Sequence, residues 1–236
     1  MLHYHRATAS TNDDAASLAR AGCPERTIVL ANEQTAGRGR LGRSWVAPPG
    51  SSLLMSIVLR RQAPSVYLTA ACAVAATEAI ARQTGIASRI KWPNDLMIGD
   101  RKAGGVLTEV IARNGNLATI VGLGLNVNLN AGADNVPDTA TSLSAELGRP
   151  VAREPMLYAM LERLDVLLGL PDPVFIRHLH ARWQTLLWRR QQQVRVDDGR
   201  VVLTGAAVGV SRSGALRLRI ADGSICEVVV GDVLIE

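Results

Sequence analysis

Aromatic side chains are scarce in this chain: they make up 3% of its 236 residues, and Phe175 is the single phenylalanine. A surface that grips single-stranded nucleic acid by stacking on bases needs more of them. Cysteine is sparse too. Cys23, Cys72 and Cys226 are odd in number, far apart and form no CxxC. That pattern excludes a disulfide framework and a structural zinc site, and predicts reduced thiols in a cytoplasmic protein. No run approaches the roughly 20 apolar residues of a membrane span. Met1-Leu2-His3-Tyr4-His5-Arg6 lacks the apolar stretch of a signal peptide, so a soluble chain with no membrane partner is expected. There is no GxxxxGK[ST] for ordinary P-loop nucleotide binding and no GxSxG to begin a serine triad. The histidines complete no metal cage. His178 and His180, two apart on a predicted helix, do not face each other, and His3 and His5 share at most a strand face.

Hydrophobic residues supply 47% of the chain, enough for one large domain or a main domain with a small one. The net charge of +5 and a pI near 9.6 point to anionic ligands or partners. That charge is concentrated in Gln34-Thr35-Ala36-Gly37-Arg38-Gly39-Arg40-Leu41-Gly42-Arg43-Ser44-Trp45. Glycine alternating with arginine cannot hold a regular helix, and the three guanidinium forks match phosphate or carboxylate oxygens. The segment is predicted to be loose until it closes over an anion.

Around it, Asn12 to Arg20 reads as a short helix with acids at its start, and Thr27 to Ala31 and Ser52 to Leu59 as strands. Ser65 to Gln83, Ala-rich, preceded by Pro64 and stopped by Gly85, predicts a long helix. Strands follow at Ser88–Trp92, Asp95–Ile98, Gly105–Ile111 and Leu117–Asn128, with turns at Gly99-Asp100 and Asn114-Gly115. A polar loop is expected over 130–140, then helices over 142–147, 153–168 and 173–190. Tight turns imply a mainly antiparallel sheet, with helices covering one face. After Arg190 the chain alternates β formers with Asp198-Gly199, Ser213-Gly214 and Asp222-Gly223 turns. Short strands at 194–196, 201–210, 215–220, 225–230 and 233–235 predict a small barrel. The expected organisation is α+β, with one domain over 1–190 and a second over 191–236.

Four further segments carry chemistry. Lys91-Trp92-Pro93-Asn94-Asp95 ends a strand; it is either an ordinary turn or an offer of Lys91, Asn94 and Asp95 to a polyphosphate, with Asp95 able to meet a metal ion. Arg101-Lys102-Ala103-Gly104-Gly105 sets an ammonium beside glycines that permit close approach of a ligand. Gly122-Leu123-Gly124-Leu125-Asn126-Val127-Asn128 breaks an apolar strand with small residues, which points to a ligand against it. Ser10-Thr11-Asn12 is either a helix cap or a set of binding hydroxyls and an amide.

Taken in order, Ser-Thr-Asn, GRGRLGRSW, KWPND, DRKAGG, GLGLNVN, Thr141-Ser142-Leu143 and a small C-terminal barrel resemble the biotin protein ligases, from about residue 8 onward. The resemblance implies the class II synthetase-like catalytic fold of biotin and lipoate ligases plus an SH3-like barrel. It implies that biotin and ATP form biotinyl-5′-AMP and pyrophosphate with Mg²⁺. Biotin then passes to one lysine of the biotin carboxyl carrier protein of acetyl-CoA carboxylase. By the same match Ser10, Thr11, Asn12 and Gln34 hold the ureido ring, and Arg38, Gly39, Arg40 and Lys102 close on biotin and the adenylate. Arg38, Arg40, Trp45, Lys91, Asn94, Lys102 and Asn126 fall to ATP, Asp95 to Mg²⁺, and the catalytic weight to Lys102 and Arg40. A homodimer built by extending sheets is a further implication.

Two departures stand out. Leu41 occupies a place where some relatives carry a basic residue, which lowers the loop's charge. The Ser-Thr-Asn trio begins at residue 10, without the winged-helix segment of bifunctional relatives, so a ligase with neither repressor activity nor a DNA partner is expected. The rival readings are a lipoate ligase or octanoyl transferase, and a basic nucleic-acid-binding protein whose binding would collapse with salt.

Overall fold

The computed structural model describes residues 1–113, 116–130 and 136–234; the Asn114-Gly115 turn, the middle of the 130–140 loop and Ile235 lie outside the described residues. Seven strands build the larger sheet: β1 (Leu2–His5), β2 (Ile28–Ala31), β3 (Ser52–Leu59), β4 (Arg89–Lys91), β5 (Asp95–Ile98), β6 (Arg101–Arg113) and β7 (Asn116–Asn126). Their order is β1-β2-β3-β7-β6-β5-β4. Only β1 and β2 run parallel; every other neighbouring pair is antiparallel. β1 is absent from the sequence reading, because a four-residue edge strand with alternating exposure has too little apolar content to announce itself.

Helices α1 (Thr11–Arg20), α2 (Ser65–Thr84), α3 (Leu143–Leu147), α4 (Arg153–Leu168) and α5 (Asp172–Leu186) complete this part. α2 is stopped by Gly85, which takes φ 74° and so suits glycine. Its small side chains are buried between the sheet and helices α4 and α5. The helices do not cover one face alone. β3 is buried at all eight positions, a run without polar alternation that needs cover on both sides. Leu53, Met55, Ile57 and Leu59 face the α2 core, while Val58 joins Ala15 and Ala16 of α1 on the opposite face. α1 thus roofs the second face, and its N-terminus lies over the sheet centre.

The helix expected to reach residue 190 stops at Leu186. There the backbone turns to bridge Leu187 to Ile90, and Trp188 donates from its indole to Gly99 O at 2.8 Å. A second, antiparallel sheet follows: β8 (Gln193–Asp197), β9 (Val202–Val210), β10 (Leu216–Arg219), β11 (Ile225–Val228) and β12 (Asp232–Val233), in the order β11-β10-β9-β8-β12. Its turns use the expected chemistry: Asp198 Oδ1 accepts from the backbone of Arg200 and Val201, and Asp222 Oδ1 from Ser224 N. Hydrogen bonds pin this sheet to the first. Trp92 donates to Gly214 O at 2.9 Å, Tyr67 to Arg212 O at 2.8 Å, and Gln184 bonds both backbone groups of Val210. The apolar core runs without a break from one sheet to the other.

Candidate functional site

Ser10 precedes α1 in extended conformation, yet its side chain makes no capping bond. The trio is therefore not used as a cap. Thr11 donates from its N–H to Gln34 Oε1 at 2.8 Å, and its hydroxyl lies 3.0 Å from the same oxygen. Asn12 turns inward over β7, where Gly122 makes the space: a methyl group there would overlap the Asn12 side-chain oxygen. Ser56 Oγ donates to Asn12 Oδ1 at 2.6 Å, and the Asn12 amide donates to Glu109 Oε2 at 2.6 Å. Ser10, Thr11 and Asn12 are all buried and uncharged, so the groups they bring to this end of the site are neutral donors and acceptors.

The Gly/Arg segment forms a small hairpin. Trp45 N donates to Gly37 O at 2.8 Å, Gly39 N to Arg43 O at 2.6 Å, and Arg38 bridges Ser44. It closes by backbone bonds, so it is better built than its glycines alone suggest. A tight turn covers Arg40–Gly42, with Leu41 at φ 56° and 70% exposed. Leu41 lies outside the cleft, so its missing charge is not taken from the cleft wall. The Trp45 indole lies on Gly124, where a Cβ would come within 2.5 Å of the ring. The two glycines of the Gly122–Gly124 run thus admit Asn12 and Trp45. Each guanidinium meets carboxylates: Arg38 those of Asp13 (2.6 Å) and Glu109 (3.2 Å), Arg40 that of Asp232 (3.0 Å), and Arg43 also that of Asp232 (2.7 Å).

On β5 and β6, Asp95 stands between two ammonium groups, Lys102 Nζ at 2.7 Å and Lys91 Nζ at 3.5 Å. Burial lowers the Lys91 pKa; the Asp95 charge opposes this and the Lys102 charge adds to it. Asn94 donates to Val106 O at 2.8 Å and accepts from Arg40 at 3.3 Å. The fit to Mg²⁺ at Asp95 is poor. Both of its oxygens face ammonium groups, and no cluster of three His, Cys, Asp or Glu suited to a metal occurs among the described residues. In this structure Asp95 serves as the counter-ion of Lys91 and Lys102.

These parts enclose a cleft of about 230 Å³. Ser10, Thr11, Asn12, Gln34, Arg38, Gly39, Arg40, Trp45, Asn94, Asp95 and Lys102 all line it, together with Gly122 and Gly124. Two expected residues do not. Asn126 is turned to Thr141 O (3.0 Å) and Ser52 Oγ (3.4 Å), and supports the loop behind the sheet. Lys91 is 7% exposed and meets the site through its pairing with Asp95. Trp92 of the same motif serves the sheet junction. Sequence reasoning missed Arg43, Glu109 and Asp232. Arg43 was legible as the third guanidinium of the loop. Glu109 reads as the one acidic residue of its strand, and Asp232, 192 residues from Arg40, has no local signal at all.

The profile of the biotin/lipoate A/B protein ligase family matches residues 4–128, and that of the biotin protein ligase C terminal domain matches residues 192–235. The biotin–[acetyl-CoA-carboxylase] ligase of Paracoccus denitrificans is 33% identical over 90% of this chain and 91% of its own length. The bifunctional ligase/repressor BirA of Bacillus subtilis is 40% identical over 68% of this chain and 51% of its own length. The chain thus spans about half the length of that relative. The biotin protein ligase of Aquifex aeolicus, solved in complex with biotin and ATP, superposes with a TM-score of 0.85 at 27% identity, over 99% of this chain and 97% of the other.

Proposed function

The chain belongs to the biotin/lipoate A/B protein ligase family, and from that premise we propose that it is an ATP-dependent biotin–protein ligase. One observation carries the reading: a single cleft has a neutral donor–acceptor end at Thr11, Asn12 and Gln34 and a cationic end at Arg38, Arg40 and Lys102. A ureido ring has two N–H donors and a carbonyl, so hydroxyls and amides complement it. A lipoyl ring offers neither, and would leave buried polar groups unpaired. The nucleic-acid reading loses support because the loop's guanidinium groups are gathered over a cleft and paired with acids.

In this reading the biotin carboxylate oxygen bonds to the α-phosphorus of ATP and the bond to pyrophosphate breaks. Two anions must meet, and Arg40 and Lys102 reduce their repulsion and align them. We place Mg²⁺ with the nucleotide phosphates, outside the protein's own ligands. An amine of the carrier protein then attacks the acyl carbon, a C–N bond forms, AMP leaves and the amine loses a proton. The proposed acceptor is a lysine of a carboxylase carrier protein, in keeping with the Paracoccus relative's name. We further propose that residues 1–190 bind the substrates while 191–236 complete the nucleotide side. Biotin-dependent ATP–pyrophosphate exchange tests the whole reading. Lys102→Ala and Arg40→Ala are each expected to cut it by about 10²–10³-fold, while exchange with lipoate and none with biotin overturns it.

A further inference from the structure

The polar end of the cleft leaves one question to proton counting. Ser56 Oγ lies 2.7 Å from Thr11 Oγ1 and 2.6 Å from Asn12 Oδ1. A hydroxyl carries one proton, so it donates to one of these two neighbours at a time. Which way the row points depends on the Asn12 amide, whose two ends have nearly the same shape but opposite character. Glu109 Oε2 sits 2.6 Å from one of them. An ionised carboxylate only accepts, and Leu107 O accepts more weakly on the same side at 3.4 Å, so that end is the NH₂ and the other the oxygen.

We infer that Glu109 is a positioning residue that fixes the donor–acceptor sense of the biotin-reading groups and ties it to the loop arginine Arg38. With the Asn12 oxygen facing Ser56, the Ser56 proton goes to Asn12. The Thr11 hydroxyl, like the Thr11 N–H, donates to Gln34 Oε1. The orientation set at Glu109 on β6 thus reaches Ser56 on β3 through the Asn12 amide. The same carboxylate reaches Arg38 Nη2 at 3.2 and 3.3 Å from its two oxygens, where Asp13 is also bound. Glu109 does not line the cleft. It acts through Asn12 and Arg38, and so links what the ring end accepts to where the closing loop rests.

This inference rests on the proposed ligase reading, so its test has one arm that needs no substrate. Glu109→Gln keeps size and reach but removes both the charge and the acceptor-only rule, and Glu109 is half-exposed, so the variant is expected to fold. In pyrophosphate exchange, KM for biotin is expected to rise about 10-fold, with KM for ATP changed far less. Discrimination against an analogue whose ureido oxygen is replaced by an imino N–H is expected to fall by about 10-fold. Without ligands, trypsin is expected to cut at Arg38 and Arg40 several times faster in the variant. An unchanged biotin KM with unchanged discrimination overturns the orienting role, and equal cleavage rates overturn the tie to Arg38. If the natural chain shows no biotin-dependent exchange, the ligase reading falls, and the cleavage rates still judge Glu109.

Discussion

Cys72 lies on α2 inside the core, and burial pushes its thiol from 9.0 up to about 12. Its folded pKa is raised, so its contribution to stability is whole below pH 9 and is lost as pH climbs toward 12. Over that window unfolding releases a proton, which costs up to about 1.4 kcal/mol of stability per pH unit. Urea titrations between pH 8 and 10.5 are expected to show a downward slope that is shallower in Cys72→Ala. In native protein at pH 8, Cys23 and Cys226, which are partly exposed, should alkylate while Cys72 stays unlabelled; comparable labelling of all three would refute the buried-thiol account. At this scale the sequence announced chemistry better than position. Thr11, Gln34, Arg40 and Lys102 were named through the family resemblance, and the fold brings all four to one cleft. Asn126 was expected on the nucleotide side, and in this structure its amide donates to Thr141 O; an asparagine at a strand end reads the same in either case.

Among elements, β3, β5 and α4 keep the bounds that composition predicted. Local punctuation set them: Gly50 before β3, the Gly99-Asp100 turn after β5, and Gly169 after α4. The side of the sheet that α1 covers is not written in α1 itself. It follows from β3, whose unbroken burial demands a second roof. The Gly/Arg hairpin makes its own expectation. It rests on acids that an adenylate would have to replace, and its backbone closes through a few bonds at 37–45. Adding biotin and ATP together is expected to slow trypsin cleavage within residues 37–43 by about tenfold or more, as local opening becomes costlier. Unaltered cleavage there would count against closure on a ligand.

For the molecule as a whole, the two sheets share both a core and a site. Asp232 of β12 holds Arg40 and Arg43, and Gly231 O lies 3.4 Å from Arg40 Nη2. No local rule links residue 232 to residue 40, so this half of the cleft was invisible before the fold was known. Trp92 is the clearest mechanical joint, because its buried indole N–H and Gly214 O satisfy each other. Trp92→Phe leaves that carbonyl without its partner and is expected to cost about 1–3 kcal/mol. Denaturant unfolding measures it, and a loss under 0.5 kcal/mol would show the joint to be unimportant.

The span between Arg40 and Asp232, 192 residues, also sets a clock on biosynthesis. At ribosomal speeds roughly 10–40 s separate the two positions. Through that interval the guanidinium group of Arg40 has been made and its acidic mate has not, so this wall of the cleft is finished only when the last strand emerges.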